Sequence, residues 1–156
     1  MAKFAGKGSQ KWLQIAVNEK QELLMGALRR SGAIPQGVSV TWKSPLVEDS
    51  FQEYRDSVAL EKAGIRQLKV PLKSFWPPRG PVWDAIGVNS MGHAMFVEAK
   101  AHIPEAASPE TKASPVSRKL IEQSLTRRGA TMRPKPALTG ESISISTRIA
   151  WLISTS

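Results

Sequence analysis

Asp84, Glu98 and Lys100 are two carboxylates and an ammonium group that one short hairpin would gather at one end. Between them, Ser90-Met91-Gly92 fits a three-residue hairpin loop with glycine in the left-handed position. That loop sets Asn89 opposite His93 and, in the same register, Asp84 opposite Glu98. Directly opposed residues carry their Cβ atoms roughly 5 Å apart. Two like charges so placed repel one another, and a divalent cation between them relieves the repulsion. Along the second strand Met95, Val97, Ala99 and Ala101 make one apolar face, while Phe96, Glu98, Lys100 and His102 make the other. The expectation is that the first face packs and the second does the chemistry. A plainer reading stays open, in which Lys100 pairs with a solvent-exposed Glu98 and Asp84 caps a strand, each contact worth well under ~1 kcal/mol.

Pro81-Val82-Trp83-Asp84, a gap spanning residues 85–97, and then Glu98-Ala99-Lys100 resemble the motif of the PD-(D/E)XK nuclease superfamily, with Val82 and Trp83 standing between the proline and the aspartate. A wider resemblance, to uncharacterised bacterial proteins that share the Trp83-Asp84-Ala85 and Glu98-Ala99-Lys100-Ala101-His102 pattern, covers roughly residues 10–128. The resemblance implies an α/β, restriction-endonuclease-like core: a small mixed sheet flanked by helices. It also implies metal-dependent hydrolysis of phosphodiester bonds, in DNA before RNA. Asp84 would bridge the metal, Glu98 would be the second carboxylate, and the main-chain carbonyl of Ala99 would complete an oxygen set. Hard oxygen ligands without cysteine or a histidine pair suit Mg or Mn better than zinc. Lys100 would orient the attacking water or help deprotonate it.

Three further residues are candidates for the same site. Glu53 is either a helix-borne acid beside the metal or the partner of Ser50 in a capping box, bonding back to the Ser50 amide. His102 shares the face of Glu98 and Lys100 and either touches a phosphate or sits as a hydrogen-bonded surface residue. Gln123 falls on the helix after the motif. Arg79, Lys73, Arg118, Lys119, Arg127 and Arg128 are the cations nearest the motif and would grip backbone phosphates in a salt-dependent way. Trp76 and Trp83 either stack on bases or fill the core. The rival function is a catalytically inactive nucleic-acid-binding or assembly module with the same fold.

The elements that must position these groups can be read from periodicity. Apolar residues at helical spacing predict one long helix over residues 10–30, capped by Ser9 and ended by Gly32, a packing or partner element through which a homodimer could form. Residues 38–42 alternate as a strand closed by Pro45. A second helix is expected over 51–62 with Gly64 as its stop, and a short edge strand over 68–72. Residues 76–81 form a stiff proline-rich connection into the hairpin, 104–114 a loop, and 115–128 a helix with Pro115 at its first position. After it, one short alternating run and residues 148–152 are all that stand for the last core strand and helix, so a copy truncated or frame-disrupted at its carboxy terminus is expected.

Composition sets the frame. The chain has 156 residues, most simply one domain: the helix over 10–32, a nuclease-like core over 50–128 and a tail over 129–156. Twenty-two Lys and Arg against 13 Asp and Glu give a net charge of +9, which favours a polyanionic partner over an acidic protein or a neutral metabolite. With no cysteine, a disulfide framework, a zinc ribbon and a thiol nucleophile are excluded, and a reducing cytoplasm is the expected location. No run reaches transmembrane length, and the polar residues Gln10, Lys11 and Gln14 interrupt any secretory leader, so neither a membrane nor export is expected. No glycine-rich phosphate loop, Ser-His-Asp set or dinucleotide fingerprint competes with the carboxylate pair.

Overall fold

The structure, a computed structural model, describes residues 2–99 and 114–126. Its centre is a three-stranded sheet in the order β1-β2-β3, built from β1 (Val40–Ser44), β2 (Ala85–Asn89) and β3 (Ala94–Val97). Both pairings are antiparallel, so within the described residues the sheet is not the mixed one expected. Gly87, on the middle strand, sits where a side chain cannot. A Cβ there would lie 2.7 Å from Val40 Cγ1 and 3.2 Å from the Trp42 ring, so glycine lets β1 and its tryptophan close over β2.

Each face of the sheet is covered. On one side α1 (Gly8–Asn18) and α2 (Gln21–Arg30) lay Leu13, Val17, Leu24, Met25 and Leu28 against Trp42, Ala85, Met95, Val97 and Ala99. On the other, α3 (Asp56–Lys62) lays Ala59, with Ala63 just beyond the helix, against Trp83, Ile86, Ala94 and Phe96, and Tyr54, Leu60, Ile65 and Trp76 complete the cluster. The expectation of one packed and one working face is therefore corrected: the side carrying Phe96 is as buried as the side carrying Met95. An apolar run with no exposed position, Ala94–Val97, is what a strand buried on both faces requires.

The single helix over 10–30 is two helices, broken at Glu19 and Lys20. Asn18 ends the first. Its Nδ2 donates to the carbonyls of Gln14 and Pro45, both at 2.7 Å, and its Oδ1 accepts from the Val47 amide at 3.0 Å. An asparagine that competes with the helix's own hydrogen bonds and ties the chain to a loop beyond β1 makes a break more favourable than a straight rod. Ser9 is no cap, because α1 starts at Gly8 without a side-chain cap. The apolar stripe offered to a partner is spent on the chain's own core, leaving Trp12 and Leu23 exposed at its margin.

α3 also starts later than periodicity suggests. Ser50 and Phe51 take left-handed backbone angles, with φ of 54° and 60°, so no helix can run through them. The capping box of Ser50 and Glu53 is thereby overturned: Glu53 instead accepts a hydrogen bond from Gln10 Nε2 at 2.9 Å. Nor do residues 68–72 form a strand. Val70 is exposed, Pro71 leads into a 3₁₀ turn over Leu72–Ser74, and β1 occupies the place beside β2. The last described helix, α4 (Pro115–Thr126), begins as expected at Pro115, with Ser114 Oγ accepting from the Ser117 amide at 3.2 Å.

One polar knot fastens the segment before α3 to that helix. Asp49 Oδ2 accepts from Tyr54 Oη at 2.6 Å and from Lys62 Nζ at 2.7 Å, and the Lys62 ammonium lies 4.6 Å from the centre of the Tyr54 ring. The hydrogen bond from Lys62, then that from Tyr54, holds the Asp49 carboxyl below its ordinary 3.8. Asp49 in turn raises Lys62 above 10.5. The aspartate's contribution is complete above its unfolded value and is lost as pH falls through the lowered folded one; the lysine's is complete below 10.5 and is lost as pH rises through the raised one. Both groups are open to solvent, so the effect is small. Thermal melts should show Lys62→Met slightly less stable than wild type near about pH 7 and no different near about pH 2. An equal loss at both would assign it to packing of the lysine stem.

Candidate functional site

The hairpin that carries the carboxylates forms in the register its turn dictates. Gly92 has φ of 80°, the Asn89 amide donates to the His93 carbonyl at 2.9 Å, and Val88↔Ala94 through Ala85↔Val97 follow in step. Asn89 secures the turn, its Oδ1 accepting from the amides of Met91 and His93 at 3.0 and 2.9 Å. The pairing ends at Ala85↔Val97; Asp84 and Glu98 are the next residues on the two strands, and both are half-buried.

Beyond Ala85 the ladder changes partner. The Trp83 amide turns away from β3 and donates to the Tyr54 carbonyl at 2.9 Å, bridging to the segment before α3. Asp84 Oδ2 instead accepts from the Ala99 amide at 2.6 Å, so a carboxylate takes the amide at the end of β3. The two halves of the motif are thus joined directly: Asp84 is hydrogen-bonded to the residue between Glu98 and Lys100. Ala99 itself is buried, packed with Val97 and Met95 on the α1 and α2 side.

The remaining candidates divide. Glu53 is half-buried on the segment that bridges to Trp83, bonded to Gln10 and not carried on a helix. Gln123 and Lys119 are exposed on α4 and Arg118 is half-buried there. Arg79 and Lys73 are exposed in the loop that leads to Asp84, Arg79 with a left-handed φ of 59°. Lys100, His102, Arg127, Arg128, the loop over 104–113 and the tail over 129–156 lie outside the described residues. Trp76 and Trp83 stack on each other with ring centres 6.0 Å apart, and Trp83 meets Phe96 at 5.3 Å. Trp83 is therefore a core residue, and Trp76 is half-covered by it.

For a cation, the expected donors are the carboxylates of Asp84 and Glu98 and the main-chain carbonyl of Ala99; no group of three or more acidic or histidine side chains assembles among the described residues. That donor set is all oxygen and fits magnesium or manganese in kind. Sequence reasoning missed two features. The acceptor role of Asp84 toward Ala99 has no signal in composition, although an aspartate at the mouth of a hairpin is a general hint. The Asp49, Tyr54 and Lys62 knot depends on the left-handed turn at Ser50 and Phe51, which no local pattern announced.

Among the described residues no helix is long and apolar enough to cross a membrane. No family model, no curated protein and no solved structure matches the chain.

Proposed function

We propose that the chain is a metal-dependent nuclease that hydrolyses phosphodiester bonds of DNA, on a restriction-endonuclease-like core whose site is Asp84, Glu98 and Lys100. The observation that carries this reading is the junction at the hairpin mouth, where the Asp84 carboxylate accepts a hydrogen bond from the Ala99 amide at 2.6 Å, beside Glu98 in the chain. A hydrogen bond between Asp84 and Ala99, 15 residues apart, depends on the hairpin having formed, so the contact weighs more than the spacing alone.

Asp84, Glu98 and the carbonyl of Ala99 would hold magnesium or manganese. When bound, such an ion stabilises charge developing on the phosphate and acidifies the attacking water. The bond from the Ala99 amide fixes the Asp84 carboxylate, so its direction is set before substrate arrives. Lys100, next along the chain, orients that water and offsets phosphate charge. The net charge of +9 draws the polyanion in, and Arg79, Arg118 and Lys119 contact its backbone.

The test is incubation of the purified protein with supercoiled and linear DNA in magnesium, manganese or EDTA, beside Glu98→Ala and Lys100→Ala. Nicking that needs the metal and disappears in both variants, with DNA binding retained in Lys100→Ala, is the expected result. Binding without cleavage under every metal would replace the enzyme with an inactive nucleic-acid-binding module.

A further inference from the structure

The segment that joins α3 to β2 is basic throughout. Residues 62–83 hold Lys62, Arg66, Lys69, Lys73 and Arg79 and no aspartate or glutamate, although the whole chain has 13 acids. Asp49 takes up the charge of Lys62. The other four cations are exposed, and none of them is in an ion pair among the described residues.

A chain of like charges left to itself spreads into solvent, but this one is braced at three points. At its start the Ile65 amide donates to the Leu60 carbonyl at 2.9 Å, and Ile65 packs against the cluster under α3. In its middle the 3₁₀ turn over Leu72–Ser74 brings the Trp76 amide to the Leu72 carbonyl at 2.9 Å. At its end the Gly80 amide donates to Asp56 Oδ1 at 3.1 Å, and the Trp76 indole lies so close over Gly80 that a Cβ there would sit 2.0 Å from Nε1. Pro71, Pro77, Pro78 and Pro81 stiffen the rest. The four cations thus stand on an arch whose backbone is already ordered, so a partner of opposite charge does not have to order it.

Two kinds of polyanion could meet such an arch, a nucleic acid or an anionic membrane. A membrane-binding segment also needs apolar side chains that enter the lipid. Trp76 is turned inward onto Trp83 and Gly80, and Val70 is the one large apolar side chain of the segment that is exposed. Backbone phosphates need no such wedge, only cations at intervals along a support. The arch also leads through Trp83 directly into Asp84.

We propose that residues 66–79 form a nucleic-acid interface that grips backbone phosphates through Arg66, Lys69, Lys73 and Arg79 without reading bases. The choice of partner rests on the nuclease reading; what is added is the part of the chain that holds the substrate, and holding it requires no metal.

The test is fluorescence anisotropy of the full chain with a labelled DNA duplex of mixed sequence in EDTA, repeated over a range of sodium chloride. Lys69→Gln with Lys73→Gln should weaken binding roughly tenfold or more and reduce the slope of log affinity against log salt by about 1.8, since each phosphate contact contributes about 0.9. Lys20→Gln with Arg30→Gln removes the same charge from exposed positions on the α2 side and should leave the slope unchanged. Thermal melts of both pairs establish that they fold. No binding by wild type at low salt, equal losses in the two pairs, or tighter binding to vesicles of phosphatidylserine and phosphatidylcholine than to DNA each overturn the proposal. Binding that depends on the arch in EDTA supports it even where magnesium brings no cleavage, a result that would overturn the nuclease reading alone.

Discussion

Phe96→Ala should cost roughly 3–5 kcal/mol of folding stability, read as a fall in the midpoint of urea unfolding with an unchanged slope. Phe96 is 1% exposed on a strand buried on both faces, and its ring lies 5.3 Å from that of Trp83, which stacks in turn on Trp76. Truncation therefore removes the transfer free energy of the ring and an aromatic contact worth about 0.5–1.5 kcal/mol. It also leaves a void that α3, only seven residues long, must collapse to fill. Trp12→Ala is the internal control. That side chain is 51% exposed on α1, and its loss should stay within about 0.5 kcal/mol. A loss at Phe96 no larger than that at Trp12 would mean that this side of the sheet is not packed as described. Because Phe96 stands two residues before Glu98 on the same strand face, its removal also loosens the hairpin mouth.

The parts of the fold legible in the sequence were those fixed by local chemistry. Ser90-Met91-Gly92 dictates a turn, and the turn dictates the register from Val88↔Ala94 to Ala85↔Val97. Pro115 after Ser114 likewise marks the start of α4. What stayed illegible depends on contacts distant in sequence. Asn18 reads as one more polar residue on a long helix until Pro45 and Val47 are placed beside it, and only then does it break the helix. The left-handed pair at Ser50 and Phe51 is sustained by the Phe51 amide donating to the Leu46 carbonyl at 2.8 Å and by the aromatic contact of Phe51 with Phe4. Neither has a local signal. The alternation of Phe96 and Glu98 shows which residues share a face, but not that α3 and Trp83 cover it. The hairpin that carries Asp84 and Glu98 could thus be read from spacing, while the bond that fixes Asp84 to Ala99 could not.

Asp84 separates charge from hydrogen bonding, and two substitutions there should have opposite consequences. Asp84→Ala removes the acceptor of the Ala99 amide, and leaving a buried amide unpaired costs about 1–3 kcal/mol. Asp84→Asn keeps an oxygen in that position, so the Ala99 amide stays paired and the metal-free protein should lose less stability than Asp84→Ala. Metal binding should respond the other way. Removing a ligand's outer partner already lowers affinity about 10–100-fold, so neutralising the ligand itself should lower manganese affinity by roughly 100-fold or more. The two effects meet in one thermal-shift experiment. At a manganese concentration about 100 times its dissociation constant, wild type should gain about 2.7 kcal/mol of stability, and Asp84→Asn at the same concentration well under half of that. If the two proteins gain equally, the carboxylate is not a ligand. If Asp84→Asn alone is destabilised without metal, the charge and not the oxygen holds the Ala99 amide, and the hairpin mouth is a structural clasp.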